Sequence, residues 1–197
     1  MNTVWNNVRM FLWMTCLTGI IYPLLITAFA QITMKHKADG GFITSKETIV
    51  GATLIAQKFV SDRYFWPRPS AIDYNPLPSG ASNLGPTSFA LKKAVEIRKG
   101  NILETYHVEQ KEIPAELLFA SGSGLDPHIS LATAYFQMDR VAKSRGLKSV
   151  DIKNLIDKLA IKKSLGLFGE ACINVLQLNM ALDALSPEKN PLASKRL

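Results

Sequence analysis

The segment over residues 10–34 contains no charged side chain and is dominated by apolar residues. At about 1.5 Å of rise per residue, a helix of this length is roughly 37 Å long, which exceeds the bilayer hydrocarbon core of about 30 Å. Pro23 can kink such a helix without breaking it in lipid. We therefore predict an N-terminal tail over residues 1–9 and a single transmembrane helix over residues 10–34.

A cleavable signal peptide is the alternative interpretation of the same segment. Arg9 would supply a short basic region, and the small-x-small sequence AFA at 28–30 fits a cleavage site. The apolar run continues past that site, which favours a retained anchor. Lys35 and Lys37 oppose Arg9 across the segment, so the positive-inside rule does not fix the orientation. The export-like pattern places the amino terminus inside and predicts that the C-terminal domain lies on the outer side.

Length and composition indicate one domain with a substantial core, because the chain has 197 residues of which 47% are hydrophobic. The net charge of +7 comes from cations that alternate with acids, as over residues 91–112, which is typical of a solvated surface. No nucleic-acid motif and no zinc-ligand spacing occur, so neither partner is predicted. Cys16 lies in the apolar segment and Cys172 far downstream, which excludes a disulfide within the soluble part.

The rest of the chain mixes strand and helix signals, which predicts an α+β fold with one mixed α/β soluble domain over residues 42–185. A polar linker over residues 35–41 precedes this domain, and a polar tail over residues 186–197 follows it. The predicted elements begin with a hairpin over 42–53, whose turn is at 45–47, and a short helix at 54–59. Four longer helices are predicted over 88–107, 113–120, 131–147 and 150–163; Ser88, Ser130 and Ser149 cap the first, third and fourth, and Gly146 ends the third. A strand over 173–178 and a short helix capped by Asn179 complete the domain.

A proline-rich segment over residues 61–87 separates the predicted hairpin from the first soluble helix. Its five prolines exclude most regular structure, since proline lacks a backbone donor and fixes φ. The aromatic residues in it argue against disorder. We expect a compact loop that is packed by its own aromatics and presented for contact, although a purely structural loop is compatible with the same pattern. The aromatic residues are Tyr64, Phe65, Trp66 and Tyr74.

The stretch ASGSGLDPHIS, residues 120–130, has the composition of a nucleophilic or phosphate-binding loop. Its serines and glycines do not match G-x-S-x-G, and neither G-x-x-x-x-G-K-[ST] nor G-x-G-x-x-G occurs. The composition therefore favours a structural turn, in which Asp126 caps and Pro127 takes the first helical position. A membrane-anchored exported hydrolase that uses Ser123 and His128 is retained as an alternative, as is a tethered binding domain with its ligand in the proline-rich segment.

Five segments occur in the order and at the spacing seen in a known family: YFWPRPSA, YNPLPSGASNLGPT, SGSGLDPHIS, QMDRVAKSRGL and INVLQLNMALD. The chain resembles the C subunit of the bacterial Kdp potassium-transporting ATPase from about residue 10 to residue 185. The resemblance implies an inner-membrane complex with a channel-like A subunit, an ATP-hydrolysing P-type B subunit and a small F subunit. It also implies that this subunit is not itself an enzyme, is required for assembly, and acts as a catalytic chaperone that raises the ATP affinity of the B subunit.

The same resemblance suggests where function resides. The serine-glycine stretch has been likened to the signature motif of ABC ATPases, which makes a nucleotide-binding role a prediction for Ser121, Gly122, Ser123, Gly124 and Leu125. An exported loop cannot meet cytoplasmic ATP, so any effect of ATP would then reach this chain through the complex. We predict no catalytic residue, no metal and no tightly bound cofactor. Predicted contacts with partner subunits and lipid involve small or hydroxylated residues in the membrane helix and exposed residues of the loops: Thr15, Thr18, Gly19, Trp66, Arg68, Ser70, Asn83 and His128.

Overall fold

The computed structural model describes residues 2–45, 48–107, 109 and 112–185. The chain forms two compact units, Met1–Ala52 and Thr53–Leu197. Lys46 and Glu47 of the predicted turn, and the whole predicted tail over 186–197, lie outside the described residues.

The first unit begins with a long helical segment composed of α1 (Asn2–Cys16), a π-helical turn (Leu17–Ile21) and α2 (Tyr22–Thr33). Thr3–Thr33 is long and apolar enough to cross a membrane, and an 18-residue stretch within it has a mean hydropathy of 1.8. The segment predicted as a tail over residues 1–9 is therefore helical from residue 2.

The π-helical turn ends two residues before Pro23, where the sequence predicts a kink. Proline has no N–H to donate, so one bond of the regular helical ladder is lost at this point. The N–H of Tyr22 donates to the carbonyl of Leu17, five residues back. Such single π turns occur inside α-helices near functional sites and at irregularities of the ladder.

The first unit ends with a short helix and a hairpin. Helix α3 (Lys35–Ala38) replaces most of the predicted linker. Strands β1 (Phe42–Ser45) and β2 (Thr48–Ala52) pair antiparallel, which confirms the predicted hairpin. The register shifts between Ile43 and Thr44, which face Gly51 and Ile49.

Two of the predicted helix caps in the second unit are present in the structure. Ser88 Oγ accepts a hydrogen bond from the N–H of Leu91, and Ser130 Oγ accepts one from the N–H of Thr133. Gly146 ends its helix in the left-handed conformation with φ of 67°. The helices of this unit are α4 (Phe89–Tyr106), α5 (Ala115–Leu118), α6 (Leu131–Arg145), α7 (Ser149–Leu159) and α8 (Val175–Leu185).

A two-stranded antiparallel sheet lies at the centre of the second unit. It consists of β3 (His128–Ser130) and β4 (Cys172–Asn174), with Ile129 paired to Ile173. Helix α6 packs against both strands, α7 and α8 pack against β4, and α7 also packs against α6 and α8. Their fully buried apolar side chains form the core: Ala134, Val141, Ile152, Ile156, Leu178 and Leu182.

The predicted strand over 173–178 is wrong beyond Asn174. Asn174 Oδ1 accepts the N–H of Gln177, so the chain enters α8 at Val175. Asn179, predicted as a cap, instead lies inside α8 and is fully buried.

Two further predictions differ from the structure. Residues 54–59 are not helical, because the N–H of Ala56 donates to the carbonyl of Leu125 in another loop. Helix α7 begins at Ser149 and ends at Leu159, short of the predicted end. The hydroxyl of Ser149 bonds Asp139 rather than capping α7.

Candidate functional site

Two buried amide side chains hold the proline-rich segment against the core. Asn179 accepts the N–H of Phe65 at 2.8 Å and donates to its carbonyl at 3.0 Å. Gln137 accepts the N–H of Trp66 at 2.8 Å and donates to its carbonyl at 3.0 Å. Both amides are fully buried. They satisfy four main-chain groups of a segment that has no strand partner, and so they fix its path.

Trp66 belongs to a cluster of aromatic rings around one guanidinium group. The Arg140 guanidinium lies 4.1 Å from the Trp66 ring centroid and 5.2 Å from that of Tyr106. The two rings meet edge to face at 6.0 Å, and Tyr106 stacks on Phe136. Arg140 also donates to the carbonyls of Asp62 and Tyr64. The segment was predicted to be packed by its own aromatics, but the rings around Trp66 come from α4 and α6. Trp66 is half-buried in these contacts within the chain.

A buried ion pair fastens the start of the proline-rich segment to the last helix. Arg145 Nη2 lies 2.8 Å from Asp183 Oδ1, and the two side chains are only 1% and 10% exposed. The Tyr64 hydroxyl donates to Asp183 at 3.0 Å, and Arg145 donates to the carbonyl of Arg63 at 2.6 Å. Burial, reinforced by the neighbouring Asp183 carboxylate, raises the pKa of Tyr64 to about 12.

The serine-glycine stretch packs against the proline-rich segment. The N–H of Ser121 donates to the carbonyl of Pro69 at 3.0 Å. Gly124 has a φ of +70°, and a Cβ there would lie 2.6 Å from Ile72 Cγ1 and 2.8 Å from the Gly80 carbonyl oxygen. Only glycine fits this position, because both the backbone conformation and the space exclude a side chain.

The backbone N–H groups of this stretch are largely bonded inside the chain. In addition to the Ser121 bond, the N–H of Gly124 donates to the Ser121 carbonyl, and the N–H of Leu125 donates to Ser123 Oγ. Gly122 and Ser123 are exposed, whereas Ser121, Gly124 and Leu125 are buried. A phosphate cradle needs several N–H groups that point at the ligand, and three of the five here point elsewhere.

Asp126 joins the two loops through its carboxylate. It pairs with Arg68 at 3.0 Å and accepts the N–H of His128 at 3.0 Å. Strand β3 follows, so Asp126 and Pro127 do not begin a helix as predicted. The His128 ring nitrogen Nδ1 lies 3.9 Å from Asp126, beyond hydrogen-bond distance. The carboxylate that a hydrolase would use to orient histidine is therefore committed to Arg68.

The remaining predicted contact residues of the second unit have distinct environments. Ser70 Oγ accepts the N–H groups of Ile72 and Tyr74, and the Tyr74 hydroxyl donates to the Arg68 carbonyl. Asn83 is exposed in a left-handed conformation with φ of 51°. Within the described ranges, no group of His, Cys, Asp and Glu could hold a metal ion.

In the apolar helix, the Thr18 hydroxyl donates to the carbonyl of Met14 at 2.7 Å, four residues back. This is the ordinary bond of a threonine within its own helix. Gly19 lies in the π-helical turn, with no atom within 4 Å of where its Cβ would be. The partner roles of Thr15, Thr18 and Gly19 remain predictions.

The sequence prediction missed the polar residues that organise the site: Gln137, Arg140, Arg145, Asn179 and Asp183. One signal was available, since Gln137 lies three residues after Ala134 and four before Val141, on the apolar face of α6. A polar residue on a buried face requires a buried partner. Nothing in the sequence indicates that the partner is the backbone of Trp66.

Comparison with known proteins identifies the family. The family model described as "K+-transporting ATPase, c chain" matches residues 4–184. The chain belongs to the KdpC family. Its resemblance to the C subunit of potassium-transporting ATPases is therefore confirmed, and KdpC proteins are subunits of a potassium-transporting ATPase complex.

Individual relatives agree with the family assignment. The chain is 48% identical over 187 residues to the potassium-transporting ATPase KdpC subunit of Leptospira interrogans, which covers 93% of this chain and 95% of the relative. It is 43% identical over 182 residues to the KdpC subunit of Dechloromonas aromatica, an alignment that covers 91% of this chain and 95% of the relative. The KdpC subunit of Sorangium cellulosum is 44% identical over 173 residues, with 86% and 91% covered. The likeness extends from the apolar helix to α8.

Proposed function

We propose that this chain is a non-catalytic subunit of the Kdp complex that assembles with the channel-like A, ATP-hydrolysing B and small F subunits in the inner membrane. Its apolar helix contacts the helices of these partners and lipid, and its C-terminal domain lies on the periplasmic side. It raises the ATP affinity of the B subunit by favouring one conformation of the complex, since coupling between distant sites requires differential contacts in two states.

One observation carries this proposal: the serine-glycine stretch is a turn whose conformation is fixed by contacts within the chain. Gly124 is wedged against Ile72 and the Gly80 carbonyl, and the Arg68–Asp126 pair closes the junction between the two loops. These are the contacts of a structural turn, and they favour a subunit that acts by contact over one that binds nucleotide. Three of the five backbone N–H groups of the stretch are bonded within the chain, which disfavours a bound triphosphate.

Direct nucleotide contact is the second candidate function. It is favoured by the exposure of Gly122 and Ser123 at the tip of the stretch. It requires that the C-terminal domain lie on the cytoplasmic side, where ATP is available. The two candidates therefore differ in a measurable property, the side of the membrane on which Ser123 is found.

The test is cysteine labelling in intact cells with a membrane-impermeant maleimide. Cys16→Ala and Cys172→Ser provide the background, and Ser123→Cys provides the probe at an exposed position. Asn6→Cys, at the exposed start of α1, is the matched control on the opposite side of the membrane. We expect Ser123→Cys to be labelled from outside and Asn6→Cys only after the membrane is opened. The reverse pattern would overturn the proposed orientation.

The effect on ATP affinity needs a second measurement, on the purified complex. We expect the KM for ATP of the B subunit to be higher in preparations that lack this subunit than in the complete complex. With Ser123→Ala the KM should stay at the value of the complete complex. If Ser123→Ala raised the KM as much as omission of the subunit, nucleotide would be assigned to the serine-glycine stretch instead.

A further inference from the structure

A hairpin between α7 and β4 carries an apolar tip into solvent. All ten residues over 161–170 are exposed. Leu165 is 89% exposed, Leu167 80% and Phe168 66%. Large apolar side chains that cluster this fully in water mark a surface that meets another apolar phase.

The backbone conformation at the tip also disfavours the leucine found there. Leu165 adopts a left-handed conformation with φ of 53°, followed by Gly166 with φ of 73°. Glycine or asparagine fits the first of these positions at lower cost, because a Cβ is strained there. Leucine at this position is thus disfavoured both by the backbone and by exposure to water, and neither fold nor solubility accounts for it.

Backbone hydrogen bonds and an ion pair fix the base of the hairpin, so the tip projects from an ordered structure. Ile161 and Cys172 exchange two backbone hydrogen bonds of 2.8 and 3.1 Å, which continue the edge of the sheet. Ser164 and Phe168 exchange two more of 2.8 and 2.9 Å. Lys163 pairs with Glu170 at 3.1 Å across the hairpin.

The charges around the tip are mainly positive. Lys158, Lys162 and Lys163 precede it, and Glu170 follows it. Leucine and phenylalanine next to lysine are typical of surfaces that enter a bilayer interface. Protein interfaces are instead depleted in lysine, and their binding hot spots are rich in tryptophan, tyrosine and arginine. The composition therefore favours lipid over a protein partner.

The chain also keeps this domain close to a bilayer. Thr3–Thr33 of the same polypeptide is long and apolar enough to cross a membrane, and the second unit follows it in the chain. A tether of this kind raises the effective concentration of a weak membrane-binding element without any further contact. A tip of three apolar side chains therefore needs less affinity of its own here than in free solution.

We propose that the hairpin tip formed by Leu165, Leu167 and Phe168 inserts into the interfacial region of the bilayer, with Lys162 at anionic lipid headgroups. This contact is a second membrane attachment of the chain, separate from the helix. It does not depend on which side of the membrane the domain occupies.

The test uses the full chain, with Cys16→Ala and Cys172→Ser, in vesicles of phosphatidylethanolamine and phosphatidylglycerol. An environment-sensitive fluorophore is attached at Leu167→Cys, or at Glu104→Cys on the exposed face of α4 as the matched control. We expect the label at 167 to shift to the blue and to be quenched by nitroxide-labelled lipid. The label at 104 should be quenched only by aqueous iodide. Quenching of both labels by iodide alone would overturn the proposal.

Two further experiments test whether the tip contacts anionic lipid or a partner subunit. Lys162→Glu, or vesicles without phosphatidylglycerol, should reduce quenching by the nitroxide lipid about threefold or more, because each lysine near an anionic surface contributes to binding. Unchanged quenching in both would overturn the assignment to anionic lipid. A blue shift at 167 that occurs only in the assembled complex, without quenching by nitroxide lipid, would assign the tip to a partner subunit and overturn the proposal.

Discussion

Asn179 and Phe65 are 114 residues apart in sequence, and the side-chain amide of Asn179 bonds both main-chain polar groups of Phe65, at 2.8 and 3.0 Å. The amide reproduces the pairing of an adjacent strand, in a position where no strand is available. The neighbouring pair of Gln137 and Trp66 repeats the arrangement. The proline-rich segment is therefore part of the core, although it has no regular structure.

Asn179→Ala should lower the free energy of unfolding by about 2–5 kcal/mol, because it leaves a buried N–H and a buried carbonyl of Phe65 without partners. Gln177→Ala, at an exposed position of the same helix, should change it by no more than about 0.5 kcal/mol. Denaturant unfolding of the full chain in detergent compares the two. Equal stabilities would show that the amide does not fix the segment.

Arg145→Met should destabilise the domain by about 3–5 kcal/mol, because it leaves Asp183 buried without its cation. Lys153→Met removes the exposed partner of Asp157 and is the matched control. Its denaturation midpoint should stay near that of the parent chain, since water screens that pair. A large loss in both variants, or in neither, would contradict the difference in burial.

Gly124→Ala should cost about 1–3 kcal/mol, since the new methyl group meets Ile72 and the Gly80 carbonyl in a strained backbone conformation. Gly122→Ala, where no atom lies within 4 Å, should be nearly neutral. Thermal unfolding of the two variants separates them. If Gly122→Ala left stability intact but raised the KM for ATP of the complex, the stretch would have a role beyond that of a turn.

Gly19→Asp should impair membrane insertion or assembly, because a carboxylate near the bilayer centre costs about 3 kcal/mol on insertion scales. Gly19→Ala meets no neighbouring atom within the chain and is the control. Potassium-limited growth and co-purification of partner subunits measure the outcome. Normal uptake in the aspartate variant would count against a role for this part of the helix.

The raised pKa of Tyr74 predicts that the folded chain loses stability in alkaline solution. Burial, with Asp73 nearby, raises the pKa of Tyr74 to about 12 in the folded chain. The unfolded chain ionises near pH 10, so stability should fall as the pH rises from about 10 to about 12. Tyr74→Phe should show a smaller fall in melting temperature over this range, with the remainder due to the other tyrosines whose pKa is raised, among them Tyr64 and Tyr106. An identical fall in both chains would contradict the assignment.

The sequence alone determined the features that depend on local chemistry. The apolar helix follows from a charge-free run, the hairpin from its β-branched residues, and helices α4 and α6 from their Ser88 and Ser130 caps. Family membership followed from five short segments in order. In each case neighbouring residues carry the physical information, because capping, periodicity and hydropathy are short-range properties.

Tertiary structure decided the rest. The sequence predicted strand where α8 begins, because an apolar run fits either element and the Asn174 cap could not be recognised within it. It predicted a cap at Asn179, whose partner Phe65 is distant in sequence. It could not show that Gly124 must be glycine, since Ile72 and Gly80 exclude a side chain only once the two loops meet. Contacts between distant residues depend on the path of the whole chain, and that path is fixed only when the core packs.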